Sequence, residues 1–517
     1  MDEAIDIIQS GGRVQIIHTL MIVSVSMINM FIFPFLPFLM KYPQFLCSPK
    51  DDYKPFFTQC NQNIFCEQST ELNYNIDTHN SLHNWAFTYN IYCSLSFANK
   101  FIVYYLIGSV SVSLIFAYIG DNYGRKKLYQ YLTIINAVGY VVLALSFNKS
   151  MICLGMFIQG VSSYLISFSS VIVTEYLTRA NSGWLTALNT SSSFLLCSFT
   201  CVVYVYINNT FIVFIIVVSI SVAVCYYTFS YVTESCFWFI CKNRVNECFN
   251  MLKQIAYFNG RINDFENINQ ERFETDKVEI ISHTDFIWNI FNYDSQRKRL
   301  IIHSILWFCC SFSFYGVIFQ ISLIDSEFNK KYFLSYLAIF LSQIITGIIA
   351  DVYGRQRCVM YASYLSGIAC FVFALASQNN IVKLISFMFV LVGSSASNSV
   401  LFIFTAEDFP TAIRCTVMGF VFVMSRFAGL CAYFVVNNIT KSELLLALLS
   451  CLAGRISELL EDTHELILDD EVPENKKDLP FKKKRNRALR KDFKSGCSDL
   501  YFLTSDDESF NKGQLYV

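Results

Sequence analysis

The stretch GDNYGRKK at residues 120–127 and the stretch ADVYGRQR at residues 350–357 share one pattern, in which an aspartate is followed three residues later by Gly-Arg. The two aspartates, Asp121 and Asp351, are 230 residues apart. Apolar segments lie on both sides of each copy, so each copy is a short turn between two apolar segments. A pattern repeated at such an interval predicts two structurally similar halves.

A second pair of similar stretches keeps nearly the same interval. Glu175 and Arg179 follow one apolar segment, Glu407 and Arg414 follow another, and the two glutamates are 232 residues apart. Matching elements at matching intervals predict two six-helix halves in the same orientation. Two halves related by an axis along the membrane normal are the plan of many secondary transporters.

The composition identifies the apolar segments as membrane spans. Hydrophobic residues make up 54% of the 517 residues and charged residues 15%, whereas a soluble domain carries about 25% charged residues. Disorder is excluded for most of the chain, because disorder requires low hydrophobicity. A net charge of -1 disfavours a nucleic-acid-binding protein. The class of protein that remains is a polytopic membrane protein.

Windows of about 20 apolar residues, the length that crosses a bilayer, predict eleven spans. A twelfth window, 444–460, contains Arg455 and Glu458, so we expect either that Arg455 extends to a nearby membrane surface or that this span is irregular. The eleven windows are 16–39, 101–119, 128–147, 151–174, 184–207, 211–232, 300–323, 332–350, 359–376, 382–404 and 417–436.

Basic residues in the loops predict the orientation. The Lys and Arg residues that follow the even-numbered spans indicate the cytoplasmic side, and both termini are cytoplasmic if the twelfth span forms. We expect an N-terminal bundle at 1–233, a linker with helices at 234–299, a C-terminal bundle at 300–465 and a disordered cytoplasmic tail at 466–517.

An extracellular loop at about 40–98 belongs to the N-terminal bundle in this topology. Its cysteines are disulfide candidates, because disulfides persist in an oxidising compartment. Four cysteines allow three pairings, and the sequence does not choose between them. The four candidates are Cys47, Cys60, Cys66 and Cys93.

The repeated motif combines groups that can hold two helices together. The glycine permits positive φ in the turn, the aspartate can meet the N-terminal end of a neighbouring helix, and the arginine can bridge carboxylates. We therefore predict a gate on the cytoplasmic side; a charge cluster that only sets topology is the alternative. The predicted gating residues are Asp121, Gly124, Arg125, Lys126, Glu175, Arg179, Asp351, Gly354, Arg355, Glu407 and Arg414.

These motifs resemble the loop signature of the major facilitator superfamily in both halves. Two further stretches resemble its organic cation, organic anion and carnitine transporters. ESCFWF at 234–239 is similar to their Glu-Ser-Pro-Arg-Trp-Leu signature, and TAEDFPTAIR at 405–414 is similar to their tenth-span exit. Departures are Cys236 and Phe237 in place of Pro-Arg, and EDT at 461–463 in place of the closing Pro-Glu-Thr.

The resemblance covers roughly residues 10 to 470. It implies an all-α integral membrane protein with the major facilitator fold: two six-helix bundles related by a pseudo-two-fold axis, here with a degenerate twelfth span. It also implies a plasma-membrane transporter of small organic ions that works by alternating access.

Arg426 lies in the middle of the eleventh predicted span. Ionisable residues at membrane depth are functional candidates. The resemblance implies that this is the position where the cation transporters carry Asp and the anion and carnitine transporters carry Arg. A guanidinium can hold a carboxylate or sulfate in bidentate fashion. The alternative is a structural arginine paired with a buried carboxylate or with helix carbonyls.

Other positions favour an organic anion or a carnitine-like zwitterion over a cation. Ser170 and Ile166 stand where the cation transporters have aromatic residues, which disfavours a cation–π cage. Phe314 and Tyr315 are candidates for an aromatic wall around the substrate, and packing is the alternative. The remaining candidate contacts, each with helix-to-helix bonding as the alternative, are Gln320, Gln343, Asn189, Thr174 and Asn398.

The sequence has no Gly-rich phosphate loop, no His-x-x-x-His pair and no paired Cys-x-x-Cys motifs with zinc spacing. We therefore predict no catalytic residues, no metal and no cofactor. The expected partners are a small organic ion and the lipid bilayer, not nucleic acid, and the C-terminal residues 515–517 are a candidate PDZ ligand. A non-transporting receptor or trafficking protein on this scaffold and a sugar-type carrier stay open as alternatives.

Overall fold

The structure is a computed structural model. The predicted tail, the candidate PDZ ligand at 515–517, Arg179 and Cys93 lie outside the described residues. The described residues are 12–49, 58–60, 66, 72–77, 81–91, 95–176, 182–266, 294–321, 328–376, 380–439 and 441–462.

The first half is built of helices apart from a small sheet after the first span. The sheet is antiparallel with strand order β2-β1-β3, and its strands are β1 (Phe45–Pro49), β2 (Thr58–Cys60) and β3 (Leu72–Ile76). The helices are α1 (Arg13–Asn29), α2 (Ile32–Leu39), α3 (Trp85–Thr88), α4 (Leu95–Tyr123), α5 (Arg125–Ala144), α6 (Lys149–Ser162), α7 (Tyr164–Tyr176), α8 (Ser182–Ile207) and α9 (Thr210–Tyr231).

The first and fourth spans, each predicted as one helix, are interrupted. The first consists of α1 and α2, and the fourth consists of α6 and α7 with a break at Ser163. The two breaks lie side by side, because the Asn29 amide donates to the Ser162 carbonyl at 3.1 Å and also to Asn136 at 3.2 Å. Backbone groups that lose their helical hydrogen bond inside a membrane need another partner, and the Asn29 side chain is that partner for the Ser162 carbonyl.

The second half repeats this plan after a linker of short helices. The linker helices are α10 (Cys236–Cys241), α11 (Val245–Asn259) and α12 (Ile262–Glu266). The spans of the second half are α13 (Asp294–Gln320), α14 (Phe328–Tyr353), α15 (Arg355–Leu375), α16 (Asn380–Asp408), α17 (Arg414–Asn438) and α18 (Ser442–Ser457).

The twelfth span is a regular but short helix of 16 residues. Arg455 lies in its last turn, where the side chain is 71% exposed and pairs with Glu458. The charge that interrupts the predicted window is therefore at the end of the helix. Within the described residues, ten helices are long and apolar enough to cross a membrane; α5, which begins with Arg-Lys-Lys, and α18 are not among them.

The packing of the helices shows the two-fold repeat. In the first half, span two packs on span four, span three on span six, and span one on spans five and six. In the second half, span eight packs on span ten, span nine on span twelve, and span seven on spans eleven and twelve. The halves meet where span two contacts span eleven and where span five contacts span eight. The two bundles are thus related by a pseudo-two-fold axis.

Candidate gate and substrate site

The first copy of the repeated motif is a tight turn between α4 and α5. Gly124 has φ of 108°, a backbone conformation that glycine adopts without strain. The Glu234 carboxylate accepts the backbone N–H of Arg125 at 2.7 Å and that of Lys126 at 3.2 Å. Burial raises the pKa of Glu234, although these N–H groups oppose the shift.

We call the end of the molecule that carries both motif copies the motif end.

Arg125 is buried, and all three nitrogens of its guanidinium donate hydrogen bonds. Its Nη1 donates to the Gly120 carbonyl at 2.9 Å, and its Nε and Nη2 each donate to Glu175 at 3.2 Å. Nη2 also lies 3.3 Å from the Asp121 carboxylate. A further bond, to the Thr411 carbonyl at 2.9 Å, reaches the second half.

Asp121 and Glu175 also bind the second half. Asp121 accepts the backbone N–H of Cys415 at 3.3 Å and of Thr416 at 2.8 Å, at the start of α17. A carboxylate is favoured there because a helix N-terminus carries partial positive charge. Arg414 donates to Glu175 at 3.2 Å. The first copy therefore joins the two halves at the motif end.

The second copy repeats this geometry. Gly354 has φ of 106°, and the N–H of Arg355 donates to Asp462 at 3.0 Å. The Arg355 guanidinium donates to the Ala350 carbonyl at 3.0 Å, to Asp351 at 3.0 Å and to Glu407 at 3.2 Å.

Asp351 makes the matching connection to the first half. Its carboxylate accepts the backbone N–H of Gly183 and of Trp184, both at 3.0 Å, at the start of α8. The Ser182 hydroxyl donates to Glu407 at 3.2 Å. Each half therefore presents one aspartate to the N-terminal end of a helix in the other half.

The structure brings together all the predicted gating residues that it describes. Lys126 takes part through its backbone N–H. Sequence reasoning missed Glu234 and Asp462 as the acceptors at the two turns. Both follow the last span of their half, so aligning the halves on the repeat would have found them.

Arg426 lies between the two halves, in α17, and is 2% exposed. Its guanidinium is 4.3 Å from the centre of the Phe422 ring and 5.6 Å from that of the Tyr315 ring, and it donates to the Tyr315 hydroxyl. The Tyr105 hydroxyl, from the first half, is a further neighbour. Tyr105 was missed, because no motif distinguishes it from the many other aromatic residues of the spans.

The charge of Arg426 has no counter-charge in the described part of the chain. No carboxylate there lies within 4.0 Å of its guanidinium, and its Nε has no hydrogen-bond partner. A buried charge is costly unless it is paired and hydrogen-bonded. The sequence alternative of an arginine paired with a buried carboxylate therefore finds no support among these residues.

Two further substrate candidates lie near Arg426. Phe314 packs at 5.6 Å from Tyr315, measured between ring centres. The Ser311 hydroxyl lies 3.3 Å from the Asn398 side-chain oxygen and 2.8 Å from the hydroxyl of Ser425, which is next to Arg426 in the chain, and it can donate to either.

The other four candidates have bonding partners of their own. Gln343 accepts from Thr190 at 3.3 Å across the interface of the halves, and Asn189 donates to Ser169 at 2.8 Å. Gln320 donates to Ser442 at 3.2 Å at the start of α18. Thr174 donates to the carbonyl one turn earlier in its own helix, at 2.8 Å.

Aromatic residues from both halves meet at the end opposite the motif end. The ring of Phe33 is 5.5 Å from that of Tyr315, and the ring of Phe38 is 5.4 Å from that of Tyr332. The Tyr336 hydroxyl donates to a carbonyl of α2. Arg426 thus lies between an ionic layer at the motif end and this aromatic layer.

Two described cysteines after the first span are disulfide-bonded, Cys47 and Cys66. Cys47 lies in β1 of the sheet, and Cys66 packs against it from outside the strands. Cys60 lies in β2. The sheet follows α2, so it lies at the end of the molecule opposite the motif end.

Residues 19–432 match the family described as Major Facilitator Superfamily. The chain is 24% identical to solute carrier family 22 member 6 of Pseudopleuronectes americanus, covering 63% of this chain and 59% of that protein. It is also 24% identical to organic cation/carnitine transporter 4 of Arabidopsis thaliana, covering 62% and 63%. The chain thus spans about three-fifths of the length of these relatives.

Solved structures show the same fold at low identity. The proton:xylose symporter XylE superposes with a TM-score of 0.60 at 13% identity, covering 87% of this chain and 96% of that chain. The human organic anion transporter MFSD10 superposes with a TM-score of 0.55 at 12% identity, covering 86% and 98%.

Proposed function

The chain belongs to the Major Facilitator Superfamily, and from this premise we propose that it transports small organic anions or carnitine-like zwitterions across a membrane by alternating access. The observation that carries the proposal is Arg426. Removing a charge from water costs several kcal/mol unless a partner compensates. A substrate carboxylate bound beside Arg426 would supply the counter-charge and the acceptor that its Nε lacks.

The surroundings of Arg426 fit an anion better than a cation. The described residues place two aromatic rings and a tyrosine hydroxyl against the guanidinium, and they place no carboxylate there that could bind an amine. The rings of Phe422 and Tyr315 would contact the apolar part of the substrate. The name of one relative, the Arabidopsis organic cation/carnitine transporter, includes the zwitterion carnitine.

The two layers around Arg426 would be the gates. Opening the motif end requires Asp121 to leave the start of α17 and Asp351 to leave the start of α8. Opening the opposite end requires the aromatic contacts of α2 with α13 and α14 to separate. Rocking of two rigid halves around a site at the interface would open one end at a time.

We place the protein in the plasma membrane with the motif end in the cytoplasm. The basic residues of both motif turns support this orientation. The disulfide-bonded Cys47 and Cys66 at the opposite end support an oxidising compartment on that side.

Uptake measurements test the proposal. Cells expressing the protein receive labelled carnitine, an aromatic monocarboxylate and a quaternary amine in separate experiments. We expect uptake of the first two, and Arg426→Ala should reduce carboxylate uptake about 10- to 100-fold, because a hydrogen bond to a charged group contributes about 1.5–3 kcal/mol. Arg455→Gln, which removes an exposed arginine from the twelfth span, is the matched control and should leave uptake unchanged.

The controls separate loss of transport from loss of protein. A tag after residue 517 reports the amount at the cell surface and, by its accessibility in intact and permeabilised cells, the side of the tail. Carboxylate uptake that persists in Arg426→Ala would refute the role of Arg426. Failure to take up any compound at normal surface levels would favour a receptor or trafficking role. Competition by hexoses would favour a sugar carrier.

A further inference from the structure

A crevice of about 440 Å³ lies on the outer side of the second half, between α14, α15 and α16. Its rim includes Ile349 and Leu365, which are exposed although they lie on membrane-crossing helices. Exposed apolar side chains on such helices face lipid. The crevice therefore opens sideways to the acyl chains of the bilayer.

Three lining residues of the crevice are smaller than the residues at the equivalent positions of the first half. They are Thr346, Cys358 and Ala362. The interval of 230 residues between the two motif aspartates assigns Phe116, Leu128 and Leu132 to the equivalent positions in the first half. Leu128 and Leu132 are fully buried there. Larger side chains thus occupy in the first half the positions that leave space in the second.

One cation lies at the motif end of this crevice. Arg357 lines it and is exposed, and no hydrogen bond or ion pair joins its guanidinium to another described residue. A guanidinium binds phosphate oxygens in bidentate fashion. The cytoplasmic leaflet, where our proposed orientation puts Arg357, is rich in anionic lipid.

We propose that this crevice is a binding site for one anionic phospholipid, with the headgroup phosphate on Arg357 and an acyl chain between α14 and α15. The apolar lining would contact the acyl chain, and Arg357, the basic residue among the described lining residues of the crevice, would select the headgroup charge. The site rests on the proposed orientation but not on any substrate, so its test is independent of transport.

The test uses the full-length protein, purified in detergent and stripped of lipid. Thermal unfolding is followed with added phosphatidylglycerol or phosphatidylcholine. We expect phosphatidylglycerol to raise the unfolding midpoint by about 2 °C or more and phosphatidylcholine to raise it less. Arg357→Gln should abolish the difference between the two lipids. Lys127→Gln, which removes the equivalent charge from the first half, should retain it.

A second measurement locates the lipid by crosslinking. A phosphatidylglycerol with a photoactivatable acyl chain should crosslink to residues 346–365 or 392–396, and Ala362→Leu, which introduces the residue of the first half, should reduce that yield several-fold. An equal lipid preference in Arg357→Gln and the unaltered protein, or crosslinks spread over the other helices, would overturn the proposal.

Discussion

The two copies of the repeated motif differ in burial although their turns are nearly identical. Gly124 and Gly354 have φ of 108° and 106°. In the first copy the side chains of Asp121 and Glu175 are 0% exposed. In the second copy those of Asp351 and Glu407 are 11% and 10% exposed. The motif sequence determines the backbone conformation of the turn, whereas contacts from the opposite half determine how far the carboxylates are shielded from water.

Among the described residues, more groups of the second half reach the first copy than groups of the first half reach the second copy. The Thr411 carbonyl and Arg414 both reach into the first copy. Ion pairs are stronger where water is excluded, and damage to them costs more, because an unpaired charge remains buried. The first copy should therefore contribute more to holding the motif end closed.

Replacing the motif arginines should show the largest difference between the copies. We expect Arg125→Ala to lower the free energy of unfolding by roughly 3–5 kcal/mol, because Asp121 is left buried without its cationic partner and Glu175 retains only Arg414. Arg355→Ala should cost less, because water screens the carboxylates of the second copy in part. Thermal and denaturant unfolding of the two purified variants in the same detergent measures this. Equal losses of unfolding free energy would show that the difference in burial does not make one copy more important for stability than the other.

Replacing the motif aspartates should give intermediate effects at defined places. Asp121→Asn should speed hydrogen exchange at the amides of Cys415 and Thr416, and Asp351→Asn should do so at Gly183 and Trp184, because each aspartate accepts from its own pair. Each substitution should cost roughly 1.5–3 kcal/mol. Peptide-resolved exchange mass spectrometry reads both sites in one experiment. Faster exchange at both sites in either variant would mean that the copies open together.

The smallest expected effect concerns one hydroxyl that the second copy lacks. The Thr416 hydroxyl donates to Asp121 at 2.7 Å, whereas the equivalent place beside Asp351 is taken by Trp184, which has no hydroxyl. Thr416→Val should lower stability by about 0.5–1.5 kcal/mol and speed exchange only at the start of α17. Unfolding midpoints and exchange rates of this variant measure the effect. An unchanged exchange rate would mean that the backbone N–H groups at the start of α17 hold Asp121 without help from the Thr416 hydroxyl.

The fold and the motif turns could be predicted because their signals are local. Runs of apolar residues give the spans, and Asp121 and Gly124 give the turn within four residues of sequence. The family resemblance and the comparisons agree on the superfamily. The repeat made the second copy predictable from the first.

The partners of the charges could not be predicted, and the break in the first span was overlooked. Pro34 has no N–H to donate to the Met30 carbonyl, so it marks this break in the sequence, whereas the contact of Asn29 with Ser162 depends on packing between segments far apart in the chain. Tyr105 reaches Arg426 only through the packing of span two on span eleven. Membrane helices are apolar on every side, so their sequences do not reveal which faces meet. The predicted contact Gln320 instead bonds to Ser442 near the end of the bundle.

The short twelfth helix has a consequence for the surrounding bilayer. Its 16 residues span about 24 Å, whereas the hydrocarbon core of a typical membrane is about 30 Å thick. A short span is accommodated by local thinning of the bilayer, by flanking side chains that extend to the membrane surface or by oligomerisation, at a cost of a fraction of a kcal/mol for each ångström of mismatch. The edge of the second half formed by α18 thus matches a thin membrane better than a thick one. The stability of this edge should therefore depend on the thickness of the host membrane.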